Sequence, residues 1–469
     1  MSLHLVILIC YSVGMIALGL VLGRRVRGSS DFFVAGRRLG PGLIFSTMLA
    51  ANIGAGSTVG ATALGYSGGI AAWWWVGSAA IGQVIMAIWI GPAMRRIAAA
   101  HDLRTVGDYL EFRYSAGTRG LVAVMLWVGT LFILAGQLVA IGSILDAVAH
   151  VPPALGCTIG GVVVMAYFTA GGLMATARVN AVQLTVKLGG FLLALPMAIA
   201  AVGGWSSVAA IGASVPSYWS FWRPGPPGIM YLALLTPSFI ISPGLLQKVF
   251  GARDDHAVRV GVGLNAAGLF LFAAFPALLG IVARGRFPDL QSPTSALPML
   301  LVGVLPPLVG AIGLAAVFSA EVSASDAALF MLTTSLSQDL YKRFINPAAS
   351  DSRLLYVARV TTAAAAFFGT VLAIILGDVV NALTIFYTLL GVSLFVPILA
   401  GLYVEKATTV EAIAAIVCGV AAVVVVQLAT KGAGIAGLTP ALLGLIAAFA
   451  GFGVVYMFRM ASYERARTV

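Results

Sequence analysis

Charged residues are scarce in this sequence. Asp, Glu, Lys and Arg together make up 9% of its 469 residues, while 60% are hydrophobic. Soluble domains carry about 25% charged residues. The composition therefore excludes a soluble protein and indicates a chain that is largely embedded in a membrane.

Cysteine and histidine are also rare, and their positions exclude several kinds of chemistry. The three cysteines lie far apart, at positions 10, 157 and 418, with neither disulfide-framework nor metal-site spacing. The four histidines lie at the ends of apolar stretches or between them, at positions 4, 101, 150 and 256. No nucleophile with a base and no metal cluster is recognisable, so we do not expect a membrane enzyme.

Apolar stretches run almost from end to end. A helix needs roughly 20 apolar residues to cross a bilayer, and about 13 stretches meet that criterion. The first has no basic segment before it and no small-residue cleavage site, so we expect a helix rather than a secretory signal. The predicted spans are 3–23, 42–66, 70–94, 119–147, 155–173, 179–203, 227–249, 258–283, 306–337, 353–376, 379–403, 409–430 and 437–458. The sequence predicts an all-α polytopic membrane protein.

The basic residues are distributed unevenly between the predicted loops. Of the 27 Lys and Arg residues, 22 fall on one side; four, Arg223, Arg284, Arg286 and Lys431, fall on the other, and Lys187 lies within a span. Cytoplasmic loops carry the excess of positive charge. We therefore expect a protein of the cell membrane with its N-terminus outside and its C-terminus in the cytoplasm. Because the net charge of +11 is explained by this distribution, we expect no nucleic-acid partner.

Two predicted spans are interrupted near their middles. The second carries Gly54-Ala55-Gly56-Ser57-Thr58 and the seventh carries Ser242-Pro243-Gly244. Membrane helices contain more Gly and Pro than soluble ones, which is one explanation. Breaks five spans apart are also what inverted-repeat transporters use to expose backbone carbonyls to ions and solutes. A passive channel fits the breaks in part, but it would not need a buried acid.

Five motifs occur in the order typical of one family. They are Asp31–Arg37 (DFFVAGR), Ala50–Thr58 (AANIGAGST), Thr105–Tyr114 (TVGDYLEFRY), Tyr167–Leu173 (YFTAGGL) and Asp339–Lys342 (DLYK). Together they resemble the sodium:solute symporter family, which includes sodium–glucose, proline, sialic acid and choline transporters.

The resemblance implies a leucine-transporter-type core of two inverted five-helix repeats, 42–203 and 227–403. Residues 1–41 would form a peripheral helix and loop, and 404–469 two peripheral C-terminal helices. The implied activity is import of a small organic solute by alternating access, coupled to Na⁺. A proton-coupled symporter of the same fold remains an alternative.

The resemblance also implies an ion site between the second and ninth spans. The backbone carbonyls of Ala50 and Ile53 would face the Ala320 carbonyl and the Ser323 hydroxyl. A hard cation such as sodium needs several oxygens to replace its hydration shell, and these residues supply them. Ala324 stands where relatives carry a second hydroxyl.

Asp326 is predicted to complete the ion site. The family carries an acid where this sequence has Asn180, and Asp326 lies instead on the facing ninth span, so we infer that the acidic ligand has moved. Alternatively, Asp326 forms a structural ion pair with Lys187, or Lys187 snorkels to the interface. Because a buried lysine titrates readily, Asn180, Lys187 and Asp326 are also the candidate proton or second-ion site. Glu321 would line the aqueous path or pair with Arg359.

The solute is expected between the two broken spans. Half-helix amides favour an anionic group, whereas the run of tryptophans at 73–75 would suit a sugar or a quaternary ammonium, or form an interfacial belt. A monocarboxylate, an amino acid, an amine or a sugar is therefore compatible with the sequence. The predicted solute contacts are Asn52, Gly54, Gly56, Ser57, Trp74, Gln137, Ser242, Thr384 and Tyr387.

Overall fold

The computed structural model describes residues 2–23, 37–169, 173–213, 215–225 and 228–467, and every named element in this part is helical. Short π-helical segments extend three of the spans, at Gly56–Gly60, Met86–Ile90 and Ser335–Ile345. The α-helices are, in chain order, α1 (Leu3–Gly23), α2 (Pro41–Asn52), α3 (Ala61–Gly68), α4 (Trp73–Ile85), α5 (Gly91–Ala100), α6 (Val106–Arg113), α7 (Ala116–Ala149), α8 (Pro153–Thr169), α9 (Leu173–Ala201), α10 (Trp205–Ala210), α11 (Tyr231–Ile241), α12 (Pro243–Phe250), α13 (Asp255–Phe272), α14 (Ala274–Arg286), α15 (Ala296–Gly303), α16 (Pro307–Thr334), α17 (Asp351–Leu376), α18 (Val379–Tyr403), α19 (Thr409–Thr430) and α20 (Pro440–Arg467).

The predicted all-α membrane architecture is confirmed. Ten helical stretches within the described residues are long and apolar enough to cross a bilayer, and every predicted span coincides with a helix or a broken pair of helices. One stretch, Gly56–Ala100, joins two predicted spans without a loop. The number of 13 crossings and the division into repeats stay predictions. Most of the first motif, 31–36, and part of the fourth, 170–172, lie outside the described residues.

Short polar side chains fix where several helices begin. Ser115, Asp254 and Asp378 each accept a hydrogen bond from the backbone N–H three residues further on, at the starts of α7, α13 and α18. Such a cap satisfies one of the N–H groups that a helix leaves without a partner. Loop chemistry thus positions the long apolar helices.

The break in the second span is as the sequence predicts. Helix α2 ends at Asn52, and helical structure resumes at Gly56. The Gly54 N–H donates to Ser57 Oγ at 3.1 Å, and the Ala55 N–H donates to Gln137 Oε1 at 2.8 Å. These N–H groups therefore do not bond the carbonyls four residues earlier, which leaves the Ala50 carbonyl free for another donor.

The seventh span is also broken where predicted. Helix α11 ends at Ile241 and α12 begins at Pro243, with Ser242 between them. Proline has no N–H, so the Phe239 carbonyl loses its helical partner. The Gln83 side chain compensates by donating to that carbonyl at 2.8 Å.

Helices α9 and α16 pack closely and antiparallel at the centre of the protein. Lys187 on α9 contacts Ser323 on α16, and one turn along α9 a Cβ at Gly190 would lie 2.3 Å from the Ala316 Cβ. The paired residue numbers rise on α9 as they fall on α16, which sets the antiparallel register. Small residues at Gly190 and Ala316 permit this close approach.

Candidate ion and solute site

The Lys187 side chain lies in the predicted ion site. Its Nζ donates to the Ala50 carbonyl at 2.7 Å, to the Ile53 carbonyl at 3.1 Å and to the Ser323 hydroxyl. The side chain is fully buried. The prediction that Lys187 snorkels to the interface is therefore wrong.

The structure brings together the residues predicted to form the ion site. Ser323 Oγ donates to the Ala50 carbonyl and to the Ala320 carbonyl, each at 3.1 Å. Three of the predicted oxygens thus surround an ammonium group. Within the described part of the chain, Lys187 and Asp326 form no direct ion pair. The prediction that they form a structural ion pair is therefore wrong.

Asp326 lies on the same interface but has no partner of its own. It is 2% exposed, and neither carboxylate oxygen accepts a hydrogen bond from any described residue. The same holds for Gln183 Oε1 and Asn180 Oδ1, both on buried side chains of α9. Helices rise about 1.5 Å per residue, so the antiparallel register places Gln183 and Asp326 at about the same level, one turn from Lys187.

Four buried oxygens without partners on facing helices are unusual. Buried polar groups are normally hydrogen-bonded, because leaving them unpaired costs free energy. A carboxylate and two amide oxygens are suitable ligands for a hard cation. We call Asp326, Gln183 and Asn180 the acidic ion site.

Glu321 was expected to line the aqueous path or to pair with Arg359, but its contacts are different. Its Oε1 accepts a hydrogen bond from Thr58 Oγ1 at 2.8 Å, which ties α16 to the broken second span. Glu321 is fully buried, whereas Arg359 is exposed. The predicted Glu321–Arg359 pair is therefore wrong. Glu321 and Asp326 are the two acidic groups that interact electrostatically with Lys187.

A cavity of ≈ 80 Å³ lies between the two broken spans. Sites for small molecules run from roughly 300 to 1,000 Å³, so the cavity in this conformation is smaller than a typical solute site. Seven of the nine predicted solute contacts line it: Asn52, Gly54, Gly56, Ser57, Gln137, Ser242 and Tyr387.

The other two predicted contacts, Trp74 and Thr384, do not line this cavity. Trp74 Nε1 donates to the Phe221 carbonyl at 2.8 Å, so its indole is held by the loop before α11. Trp75 lines the cavity instead and packs edge-on against Tyr231. Among the tryptophans at 73–75, Trp75 rather than the predicted Trp74 therefore lines the cavity.

Lys248 is a cavity residue that the sequence interpretation missed. It lies on α12 and is the only charged side chain among the described residues that line the cavity. It is 7% exposed and has neither hydrogen bond nor ion pair with the rest of the described chain. Its place five residues after Pro243, in a half-helix that is apolar except for Gln247, was the available signal.

A second set of charges, which we call the Arg119 cluster, joins α6, α7 and the end of the ninth span. Arg119 lies 2.7 Å from Asp339, 2.8 Å from Asp108 and 3.0 Å from Glu111. Burial opposes ionisation of Glu111, but hydrogen bonds from Arg119 and Arg343 outweigh it and lower its pKa. The cluster therefore favours the charged form of Glu111.

Comparison with known sequences gives one family. The model of the sodium:solute symporter family matches residues 32–419. The high-affinity choline transporter 1 of Drosophila melanogaster is 24% identical over 411 residues, covering 83% of this chain and 65% of that protein, which is under two thirds of its length. The sodium/glucose cotransporter of Vibrio parahaemolyticus is 24% identical over 87% of this chain and 82% of its own. The high-affinity proline transporter PutP of Bacillus subtilis is 24% identical over 88% and 89%.

Solved structures share the fold. A Na⁺-coupled sialic acid symporter in a substrate-bound outward-open state aligns with a TM-score of 0.77 and 18% identity, over 96% of this chain and 97% of that one. Mhp1, a nucleobase-cation-symport-1 family transporter, aligns with a TM-score of 0.55 and 14% identity, over 92% and 95%. These likenesses confirm the leucine-transporter-type fold.

Proposed function

The chain belongs to the sodium:solute symporter family, and from this membership and the site geometry we propose that it imports a small organic anion by sodium-coupled alternating access. The observation that carries the proposal is the cavity between two broken spans, with a single cation on its wall and an acidic ion site behind it.

The coupling ion is proposed to bind at the acidic ion site. Asp326 supplies the negative charge, and Gln183 and Asn180 supply neutral oxygens. An isolated carboxylate at membrane depth is expensive unless it has a partner, so such residues mark ion pathways. A sodium ion there would satisfy all the unpaired oxygens at once.

The solute is proposed to carry a carboxylate. Lys248 is buried without an anionic partner, and an anionic solute in the cavity would provide one. Among the described residues, no acidic side chain lines the cavity to balance a cationic solute. Choline, named for the Drosophila relative, is a cation and is disfavoured here. Monocarboxylates and amino acids remain, and Trp75 and Tyr387 would contact their apolar parts.

Alternating access is proposed to follow from the two repeats, 42–203 and 227–403. The broken spans belong one to each repeat, and rocking of one bundle against another would open the cavity to either side. The Arg119 cluster would lie on the cytoplasmic side, with the N-terminus outside and the C-terminus in the cytoplasm, as the distribution of basic residues favours.

A proton-coupled symporter is the second candidate. The observation that favours it is the Lys187 ammonium in the site where sodium was predicted. Uptake that follows a pH gradient and ignores sodium would establish this version. A passive channel is disfavoured, because it would not need a buried acid such as Asp326.

Lys248 gives a direct test of the solute class. We expect monocarboxylates or amino acids, but not sugars or quaternary amines, to raise the melting temperature of the purified protein. In Lys248→Gln the affinity for the stabilising anion should fall roughly tenfold or more, because a contact to a charged group is worth about 1.5–3 kcal/mol. Lys248→Arg should retain part of the binding.

Lys431→Gln is the matched control, since Lys431 is exposed on a loop far along the chain. It removes the same charge and should leave the affinity for the stabilising anion unchanged. Stabilisation by quaternary amines, or equal anion affinity in Lys248→Gln and wild type, would contradict the proposed solute class.

A further inference from the structure

The bonding of Lys187 bears on how many ions accompany the solute. An ammonium group has three N–H donors and no acceptor. The three acceptors around Nζ are the Ala50 carbonyl, the Ile53 carbonyl and the Ser323 hydroxyl. Every donor therefore has an acceptor, and all three acceptors are oxygens that the resemblance assigns to sodium.

A free sodium ion does not fit beside this ammonium. Both would need the same carbonyl oxygens, and two positive charges a few ångströms apart in a poorly solvated interior repel strongly. The residues present therefore fit a cation that is already part of the chain.

The fold places the lysine there by more than one contact. The side chain is fully buried, and the close approach of Gly190 to Ala316 holds α9 against α16 one turn away. The break after Asn52 turns the Ala50 and Ile53 carbonyls out of the helical ladder. Glu321 and Asp326 provide the surrounding negative charge. Backbone, packing and charge all favour the same position for Nζ.

We propose that Lys187 is a tethered cation that permanently replaces the sodium ion of the Ala50–Ile53–Ser323 site, so that this site takes up no free cation. This inference rests on the proposed function, because it assigns all exchangeable sodium to the acidic ion site. One sodium ion then accompanies each solute molecule. The charge on Lys187 stays with the protein throughout the transport cycle.

Equilibrium binding of ²²Na⁺ to the purified full-length protein tests the proposal without a known solute. Wild type should bind one sodium ion, and Asp326→Asn should bind none. Lys187→Ala opens the space and should gain one additional ion. Adding Ser323→Ala to Lys187→Ala should remove that additional ion. Lys187→Met, which fills the same space with an uncharged side chain, should bind one sodium ion.

Other binding results would distinguish the tethered cation from the acidic ion site. Wild type that binds two ions, one of them lost in Ser323→Ala, would overturn the tethered cation. Wild type that binds none, with one gained in Lys187→Ala, would overturn the acidic ion site and support the tethered cation. If Lys187→Ala does not fold, Ser323→Ala alone decides: unchanged sodium affinity supports the proposal, and a tenfold loss overturns it.

Discussion

Asp326→Asn should abolish sodium-stimulated uptake. The carboxylate is the only formal charge in the acidic ion site, and losing a contact to a charged group should cost the ion affinity a factor of about ten or more. The same substitution should lower the melting temperature at most slightly, because the buried carboxylate has no hydrogen-bond partner among the described residues and Lys187 keeps its own hydrogen bonds and the nearby Glu321. Uptake in proteoliposomes and melting in detergent measure the two effects separately.

Two double variants decide what Asp326 does. Adding Asn180→Asp returns a carboxylate to the same interface from the facing helix and should restore part of the uptake. If Asp326 served only to neutralise Lys187, Asp326→Asn would destabilise the protein and Lys187→Met alongside it would rescue. Rescue by Lys187→Met but not by Asn180→Asp would sink the ion-ligand assignment. Asp289→Asn, in an exposed loop, should change neither property.

Arg119→Ala should lower the stability of the protein more than Asp326→Asn or Lys248→Gln. Its guanidinium pairs with Asp108, Glu111 and Asp339, and its side chain is 10% exposed while that of Asp339 is 6% exposed. Removing one partner of a buried pair costs about 3–5 kcal/mol, because the remaining charges lose their counter-ion. The melting temperature should therefore fall by several degrees.

Two further variants check the cause of that loss. Arg119→Lys keeps the charge but loses the planar fork, so an intermediate melting temperature is expected. Arg253→Ala removes an exposed pair with Asp254, in which the arginine side chain is 61% exposed, and should cost at most about 1 kcal/mol. Equal melting temperatures for Arg119→Ala and Arg253→Ala would contradict the role given to the cluster.

The sequence was sufficient for the architecture because apolar length and helix-breaking residues act locally. Pro243 removes a helical N–H donor, and Gly54 and Gly56 lower the helix propensity, whatever packs against them, and both breaks occur where predicted. The family resemblance also implied that Ala50 and Ser323 are neighbours across the bundle, and the two residues are hydrogen-bonded.

What fills the site depended on tertiary packing. The position of Lys187 along α9 indicates its depth in the membrane, but it does not indicate the neighbouring helix to which its ammonium group bonds. Consecutive tryptophans point about 100° apart on a helix, and only the packing of α11 and the preceding loop decides that Trp75 rather than Trp74 lines the cavity. Whether Lys248 reaches the cavity likewise depends on how α12 packs.

Gradient-driven uptake tests the central claim most directly. Proteoliposomes containing the wild-type protein would be given the labelled monocarboxylate or amino acid that stabilises it best, with sodium outside only. The account predicts transient accumulation above the external concentration, which collapses when a sodium ionophore is added. Equilibration to the external concentration at the same rate with or without the sodium gradient would contradict it.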